Sequence, residues 1–163
     1  MPTPQTSRHA GALTTMAAAL ALSVGFTGLA QAQDASGAAF VNVTSHRSFD
    51  DTVAALKSAI ASNNMMVMGS INQANVLSMT GLHLAGAESF LVGNTNSGKK
   101  AFSMDPAAGA VLPARIYVWA DQGTTHVGYL KPSVKLTAVN PKFGMMAEML
   151  DKSFADIAEQ ATK

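Results

Sequence analysis

Residues Glu88 to Pro132 read ESFLVGNTNSGKKAFSMDPAAGAVLPARIYVWADQGTTHVGYLKP, and this stretch decides the fold of the 163-residue chain. Residues 90–92 form a short apolar run that predicts a strand. Residues 115–120 (RIYVWA) and 124–130 (TTHVGYL) are rich in β-branched and aromatic side chains, and only Asp121-Gln122-Gly123 separates them. A short loop that contains glycine predicts a β-hairpin. The stretch therefore predicts three strands, although the register that would place Trp119 and His126 on one face or the other stays open.

The residues before this stretch predict two strands joined by a helix. Residues 39–44 alternate around apolar side chains, and residues 65–71 (MMVMGSI) form a short apolar run. Between them Ser48 is a good N-cap, and Asp50 and Asp51 follow in the first helical turn, where carboxylates favour the helix dipole. Residues 73–84 predict a short helical connection.

The remaining residues predict a loop between the first two of these three strands and a long amphipathic helix after the hairpin. Residues 95–113 are rich in Gly, Ala, Ser and Pro, and they predict a loop with one helical turn near residues 100–104. Residues 141–161 predict the last helix, since its apolar residues recur at helical spacing. The stripe consists of Phe143, Met146, Leu150, Phe154, Ile157 and Ala161.

This order of strand, helix, four strands and helix predicts an α+β fold with two layers. Hairpin-linked strands and a closing helix favour an antiparallel sheet with helices on one face, and they disfavour a βαβ repeat. Residues 39–163 are expected to form one domain, a size at which a chain buries its own core.

The first 32 residues are interpreted as a signal peptide. Arg8 precedes an uncharged run over residues 10–30, and Ala30-Gln31-Ala32 places small residues where a signal peptidase cleaves. We expect export to the periplasm or the medium, with residues 33–38 as a flexible mature terminus and no membrane association after cleavage. An uncleaved membrane anchor is the alternative, because about 20 apolar residues can span a bilayer.

Charge and cysteine content exclude several classes of function. The formal net charge of the chain is +1, and Lys99-Lys100 is the only local pair of cations. Nucleic acids and anionic lipids demand clustered Lys and Arg, so neither is an expected partner. The chain has no cysteine, which excludes disulfides, thiolate catalysis and cysteine metal sites.

The chain resembles the domain of unknown function 302 (DUF302) family. The resemblance rests on residues 48–53 (SFDDTV), 91–94 (LVGN), Leu112-Pro113 and Tyr129-x-x-Pro132, and it covers about residues 40–161. It implies a strand-helix-four-strand-helix domain similar to the TATA-binding protein, often paired as a dimer, and no established activity. Many relatives carry Asp-His where this chain has Asn72-Gln73, and Asn-Pro where it has Asn94-Thr95.

Ten methionines are the most unusual feature of the composition. Thioether sulfur is a soft ligand that suits Cu(I), so an exported site without cysteine would use Met and His. The predicted ligand set consists of Met66, Met68, His83 and His126, with copper or haem as the possible cofactor. Methionine also fills irregular cores and adaptable interfaces, and this structural role is the favoured interpretation, with the metal site as the alternative.

Met145 and Met149 lie four residues apart and off the apolar stripe of the last helix. Their position predicts a homodimer interface, either there or at an exposed edge of the sheet. Arg115 lies in an otherwise apolar strand, and it is interpreted either as a solvated edge residue or as a partner for a carboxylate.

No catalytic residues are predicted. The chain has no Gly-x-Ser-x-Gly motif, and residues 93–100 lack the GxxxxGK[ST] order of a phosphate-binding loop. The sequence therefore favours a small exported binding module, rather than an enzyme, that forms a homodimer and holds a small ligand. A periplasmic Met/His metal or haem protein is the alternative, and a hydrolase ranks third.

Overall fold

The structure is a computed structural model that describes residues 39–163, so the signal peptide predicted at residues 1–32 and the flexible terminus predicted at residues 33–38 lie outside the described residues. The described residues form five strands and five α-helices. They are β1 (Phe40–Ser45), α1 (Phe49–Ser62), β2 (Met66–Asn72), α2 (Gln73–Ser78), β3 (Ala87–Gly93), α3 (Thr95–Met104), β4 (Ala114–Asp121), β5 (Thr124–Leu130), α4 (Pro132–Val139) and α5 (Gly144–Thr162). Two 3-10 turns, Pro106–Ala110 and Pro141–Phe143, precede β4 and α5.

The strands form one antiparallel sheet in the order β1-β5-β4-β3-β2. The predicted hairpin joins β4 and β5 through Gln122 and Gly123, which both have positive φ angles of 48° and 81°. Positive φ at both central residues is the geometry that matches the twist of a two-residue hairpin. The register pairs Trp119 with His126, so both side chains lie on the same face of the sheet.

The long helices α1 and α5 cover the other face of this sheet. Ser48 caps α1 as predicted, since its hydroxyl oxygen accepts a hydrogen bond from the Asp51 backbone N–H at 3.2 Å. The core between the two layers joins alternate residues of the central strands to the buried faces of both helices. Its largest fully buried members are Leu56, Ile60, Phe90, Ile116, Phe154 and Ile157. The α+β fold with an antiparallel sheet is therefore confirmed.

Helix α4 is absent from the sequence prediction, which ended the hairpin at residue 130 and started the next helix at residue 141. Its N-terminus has no side-chain cap from the preceding residue, Lys131. Asp151 of α5 supplies the cap instead, accepting from the Ser133 backbone N–H at 2.8 Å and from the Ser133 hydroxyl at 2.5 Å. A carboxylate at a helix N-terminus is favourable because the unpaired N–H groups point towards it.

Helix α3 is longer than the single turn predicted near residues 100–104, and α2 is shorter than the connection predicted over residues 73–84. Asn94 starts α3 by accepting hydrogen bonds from the backbone N–H groups of Asn96 and Ser97, at 2.9 and 3.1 Å. Residues 95–99 are glycine and polar side chains, several of which have low helix propensity, so propensity alone does not predict this helix. Among residues 39–163, no helix has both the length and the apolar character needed to cross a bilayer.

Replacing Gly128 of β5 with alanine is expected to destabilise the sheet by about 2 kcal/mol, as overpacking of a filled site does. A Cβ atom there would lie 2.9 Å from Phe40 Cζ and Trp119 Cζ3 and 3.0 Å from the Val41 backbone oxygen. Because one of these atoms belongs to the backbone, a rotation of side chains alone does not relieve the contact. Chemical denaturation monitored by circular dichroism measures the change.

The matched control is Gly98→Ala in α3, where an added Cβ meets no atom within 4 Å. Alanine has the higher helix propensity, so this variant is expected to be as stable as the parent chain or slightly more stable. Equal stability of the two variants would contradict the close packing of Gly128.

Candidate functional site: a methionine-lined cleft

A cleft with a volume of about 890 Å³ opens between α3 and α5. Its walls come from the first half of α5 and from α3, and its far end is formed by the residues that connect α1 to β2. Val92 and Leu112 lie at its base, where the cleft meets the core. Segments far apart in the sequence therefore meet at one site.

Methionine dominates the lining of the cleft. Six of its residues are methionines, namely Met65, Met68, Met104, Met145, Met146 and Met149. Met145 and Met149 remain 80% and 69% exposed, while Met65 and Met146 are half-buried against the two core clusters. Because Met side chains are unbranched and polarisable, a wall built from them adapts to the shape of an apolar ligand.

Three cations lie among these apolar side chains. Lys99 and Lys100 come from α3, and Lys142 comes from the turn before α5. Within the described part of the chain, the residues that line the cleft include no carboxylate and no histidine. The site is therefore apolar with a positive charge, a combination that suits a ligand with an apolar body and an anionic group.

Two carboxylates outside the lining hold the walls together. Asn140 Nδ2 donates to Asp105 Oδ2 at 2.9 Å, which connects the end of α3 to the end of α4. Asp151 caps α4 from α5 through its two hydrogen bonds to Ser133. These contacts fix α3 and α5 relative to α4, so the width of the cleft is set by polar contacts as well as by packing.

The pKa of Asp105 is expected to lie below the ordinary value for aspartate. The hydrogen bond from Asn140 is the main cause, and a second hydrogen bond from the Ala107 backbone N–H and the nearby Lys142 lower the pKa further. A depressed folded-state pKa contributes stability above the unfolded-state pKa, and that contribution is lost as the pH falls through the folded-state value. Carboxyl-carbon NMR titration of Asp105 measures its pKa.

The control for this titration is Asn140→Ala, which removes the donor. We expect the pKa of Asp105 to rise towards its ordinary value in this variant, and stability to lose part of its dependence on acid pH. An Asp105 pKa that is the same in both proteins would contradict the assignment of the shift to Asn140.

The structure does not bring the predicted Met/His ligand set together. His126 lies in β5 and Met66 and Met68 lie in β2, and two strands separate them, which amounts to about 14 Å at the usual strand spacing. His83 is exposed in the connection between α2 and β3, and it does not line the cleft. Only Met68 of the four residues lines the cleft, and its sulfur packs over Gly93.

Met145 and Met149, which the sequence assigned to a dimer interface, lie on the cleft wall together with Met146. Both are among the most exposed large apolar residues of the described chain. Their exposure is what either a dimer interface or an open ligand site requires. Sequence reasoning found this pair but missed that Met65, Met104 and Met146 join it.

His126, one of the predicted ligands, belongs to a stack of aromatic rings. His126 stacks on Trp119 with ring centroids 5.0 Å apart, and Trp119 stacks on Tyr117 at 5.3 Å. Burial raises the pKa of Tyr117 above its ordinary value. Among residues 39–163 no group of three or more His, Asp or Glu side chains is placed to hold a metal ion.

The two departures from the family pattern also have clear local roles. Asn72 caps α2 by accepting from the Asn75 backbone N–H at 2.8 Å. Gln73 Nε2 donates to Ser89 Oγ at 2.5 Å. Thr95 is the first residue of α3 and lines the cleft.

Five antiparallel strands, two long covering helices and a cleft at one end define a helix-on-sheet α+β domain. The chain belongs to the DUF302 family, since the model of the domain of unknown function DUF302 matches residues 41–161. A solved structure of an uncharacterized conserved DUF302 protein from Bacillus stearothermophilus has the same fold, with a TM-score of 0.72 at 19% identity. The match covers 76% of this chain and 98% of that one. No curated protein is significantly similar to this chain.

Proposed function

We propose that this chain is an exported binding module that holds an apolar, anionic ligand in the methionine-lined cleft. The observation that carries the proposal is the composition of the cleft, in which six methionines and three lysines line one volume without a carboxylate. A cleft of about 890 Å³ falls within the usual size range of small-molecule sites. The family has no assigned activity, so the chemistry of the lining is the guide.

The apolar part of the ligand would lie along the thioethers of α5 and the ring of Phe102 in α3. Burial of apolar surface supplies the main favourable term, at roughly 25 cal/mol for each Å² removed from water. Long flexible thioethers adjust to different chain lengths and branches. This supports a class of ligands rather than one rigid shape.

The anionic group would lie near Lys99, Lys100 and Lys142. Within residues 39–163 the only salt bridge joins Lys163 to Glu159, so none of these three lysines forms a salt bridge, and Asp105 is the carboxylate that interacts with Lys142 from outside the lining. An anionic head group therefore meets a positive potential at the cleft, whereas a cationic head group is repelled.

A titration with three aliphatic probes tests the proposal. Dodecanoate, dodecanol and dodecyltrimethylammonium share one apolar chain and differ in the charge of the head group. Isothermal titration calorimetry at low ionic strength is expected to give the tightest binding for dodecanoate and the weakest for the cation. Equal affinities for the three probes, or no saturable binding below their micelle-forming concentrations, would overturn the proposal.

A soft-metal site is the second candidate, and the six thioethers in one cleft favour it. Thioether sulfur selects Cu(I) and similar soft ions, but the adjacent lysines oppose a cation. Titration with Ag(I), a redox-inert soft ion, is expected to perturb the methionine methyl signals in NMR spectra if this candidate holds. Haem, the other predicted cofactor, has an apolar ring with two carboxylates, and it therefore belongs to the ligand class proposed above.

The homodimer remains part of the proposal. The exposed methionine pair on α5 supports it, and β1 and β2 are the two edge strands of the sheet that residues 39–163 form. A bulge between Val67 and Gly69 interrupts the ladder of β2, and bulges discourage pairing along an edge. The Met145/Met149 surface is therefore the better-supported contact, and light scattering over a series of concentrations tests it, with a constant monomer mass as the contrary result.

Export is tested by the N-terminus of the protein recovered from the periplasm. Cleavage after Ala32 leaves Gln33 as the first residue, which N-terminal sequencing identifies. Recovery of the intact N-terminus in the membrane fraction would instead support the uncleaved anchor.

A further inference from the structure

A second hollow of about 620 Å³ lies on the sheet face that α1 and α5 leave uncovered. Its floor includes Ser89 and Leu91 of β3, Arg115 and Tyr117 of β4 and Gly128 of β5, which alternate along their strands with residues of the core. Pro132 and Lys135 of α4 and Ala110 and Val111 close one end. Pro113 is the only lining residue of the described chain that it shares with the methionine-lined cleft, so the hollow is a separate site.

A row of stacked rings leads to this hollow. His126, Trp119 and Tyr117 follow one another with interplanar angles of 18° and 10°, and Phe40 packs against Trp119 at 6.3 Å. Tyr117 is the member of the stacked row that lines the hollow, and Phe40 lines it as well. Aromatic side chains favour an aromatic neighbour in an offset or edge arrangement, so a flat ring is a suitable occupant.

The amide of Gln73 adds a directional polar group. Its Nε2 is held by Ser89, but its Oε1 is shielded from solvent and has no hydrogen-bond partner among residues 39–163. A buried carbonyl oxygen without a partner is costly, and a ligand that donates a hydrogen bond removes that cost. Gln73 lines the hollow, so such a ligand would lie within its reach.

Two cations complete the site. Arg115 is exposed, lies two residues before Tyr117 on the same face of β4, and has no salt bridge in the described part of the chain. Lys135 approaches from α4, and the lining residues that the structure describes include no carboxylate. The planar guanidinium of arginine pairs with a carboxylate through two parallel hydrogen bonds, which favours a carboxylate over other anions.

We propose that this hollow binds an aromatic carboxylic acid that carries a hydroxyl group on its ring. The ring lies against Tyr117, the carboxylate pairs with Arg115, and the hydroxyl donates to Gln73 Oε1. This ligand class differs from the aliphatic anions proposed for the cleft, because the hollow offers aromatic rings and an amide in place of thioethers.

Three naphthalene probes separate the contributions. 6-Hydroxy-2-naphthoate carries both polar groups, 2-naphthol lacks the carboxylate and 2-naphthoate lacks the hydroxyl. Calorimetry is expected to show that loss of either group weakens binding about tenfold. Amide NMR shifts are expected in β4 and β5, and they should persist when dodecanoate saturates the cleft.

Two variants identify the residues responsible. Arg115→Gln removes the partner of the carboxylate, so this variant is expected to bind 6-hydroxy-2-naphthoate no more tightly than it binds 2-naphthol. Gln73→Leu removes the partner of the hydroxyl, so this variant is expected to bind 6-hydroxy-2-naphthoate no more tightly than it binds 2-naphthoate. Lys152→Gln, which removes one exposed charge on α5, is the control and should retain the parent affinity.

Competition by dodecanoate, shifts confined to the cleft, or equal affinities for the three probes would overturn the inference. So would an Arg115→Gln variant that matches the Lys152→Gln control. The probe comparison uses the unaltered chain, so the inference remains testable if Gln73→Leu does not fold. Failure here leaves the aliphatic probes of the cleft unaffected, which keeps the two proposals distinguishable.

Discussion

Replacing Phe154 with alanine is expected to lower the free energy of unfolding by about 3 to 5 kcal/mol. Phe154 lies on α5, is 0% exposed, and contacts Tyr129 edge to face with ring centroids 5.4 Å apart. The substitution removes a ring from the place where α5 packs on the sheet, and the closely packed neighbours relax only in part to fill the cavity. Thermal unfolding is expected to shift down by about 10 to 20 °C, a large share of the stability of a domain of this size.

Phe102→Ala is the matched control for this prediction. Phe102 is the same residue type but is 44% exposed on α3, so its removal deletes fewer contacts. We expect a loss of about 1 kcal/mol, since an exposed substitution leaves no sealed cavity. Equal shifts for the two variants in parallel denaturation curves would contradict the placement of Phe154 in the core.

The position of Phe154 was accessible from the sequence because its helix carries an unbroken apolar stripe. The helical period aligned Phe143, Phe154 and Ile157, and all three are buried in the structure. The hairpin was accessible for a similar reason, since its two strands are adjacent in sequence and a two-residue turn joins them. Local pattern suffices where the partners are close in the chain or repeat with one period.

Helix α4 was not accessible because its stabilising contacts are not local. Only Pro132 and Leu136 are buried, which is too few for a visible period. Its cap comes from Asp151, 18 residues away from Ser133. Capping rules that read the residue before a helix therefore give no signal here.

The methionine-lined cleft was missed for the same physical reason on a larger scale. Met65 and Met68 flank the start of β2, Met104 ends α3, and Met145 begins the series on α5. No spacing in the sequence connects these positions, because tertiary packing alone brings the three segments together. The composition singled out methionine as unusual. The sequence pattern then assigned Met66 and Met68 to a metal site and Met145 and Met149 to a dimer interface, which are two separate hypotheses.

The double variant Met145→Glu/Met149→Glu is expected to weaken dodecanoate binding at least about 100-fold, since it replaces two apolar contacts with charges that repel the anion. The fold should be retained. The two side chains are 80% and 69% exposed, and glutamate is both a good helix former and favourable near the start of α5. Calorimetry measures the affinity, and circular dichroism verifies the unfolding midpoint.

Met79→Glu is the control for the double variant, because Met79 is also 80% exposed but lies outside the cleft. It adds a negative charge to the chain without altering the lining, so we expect the parent affinity for dodecanoate. The same double variant separates the two roles proposed for the α5 methionines. If they form a dimer contact and do not touch the ligand, light scattering will show a smaller particle while dodecanoate binding stays unchanged, and that combination would refute their role in the cleft.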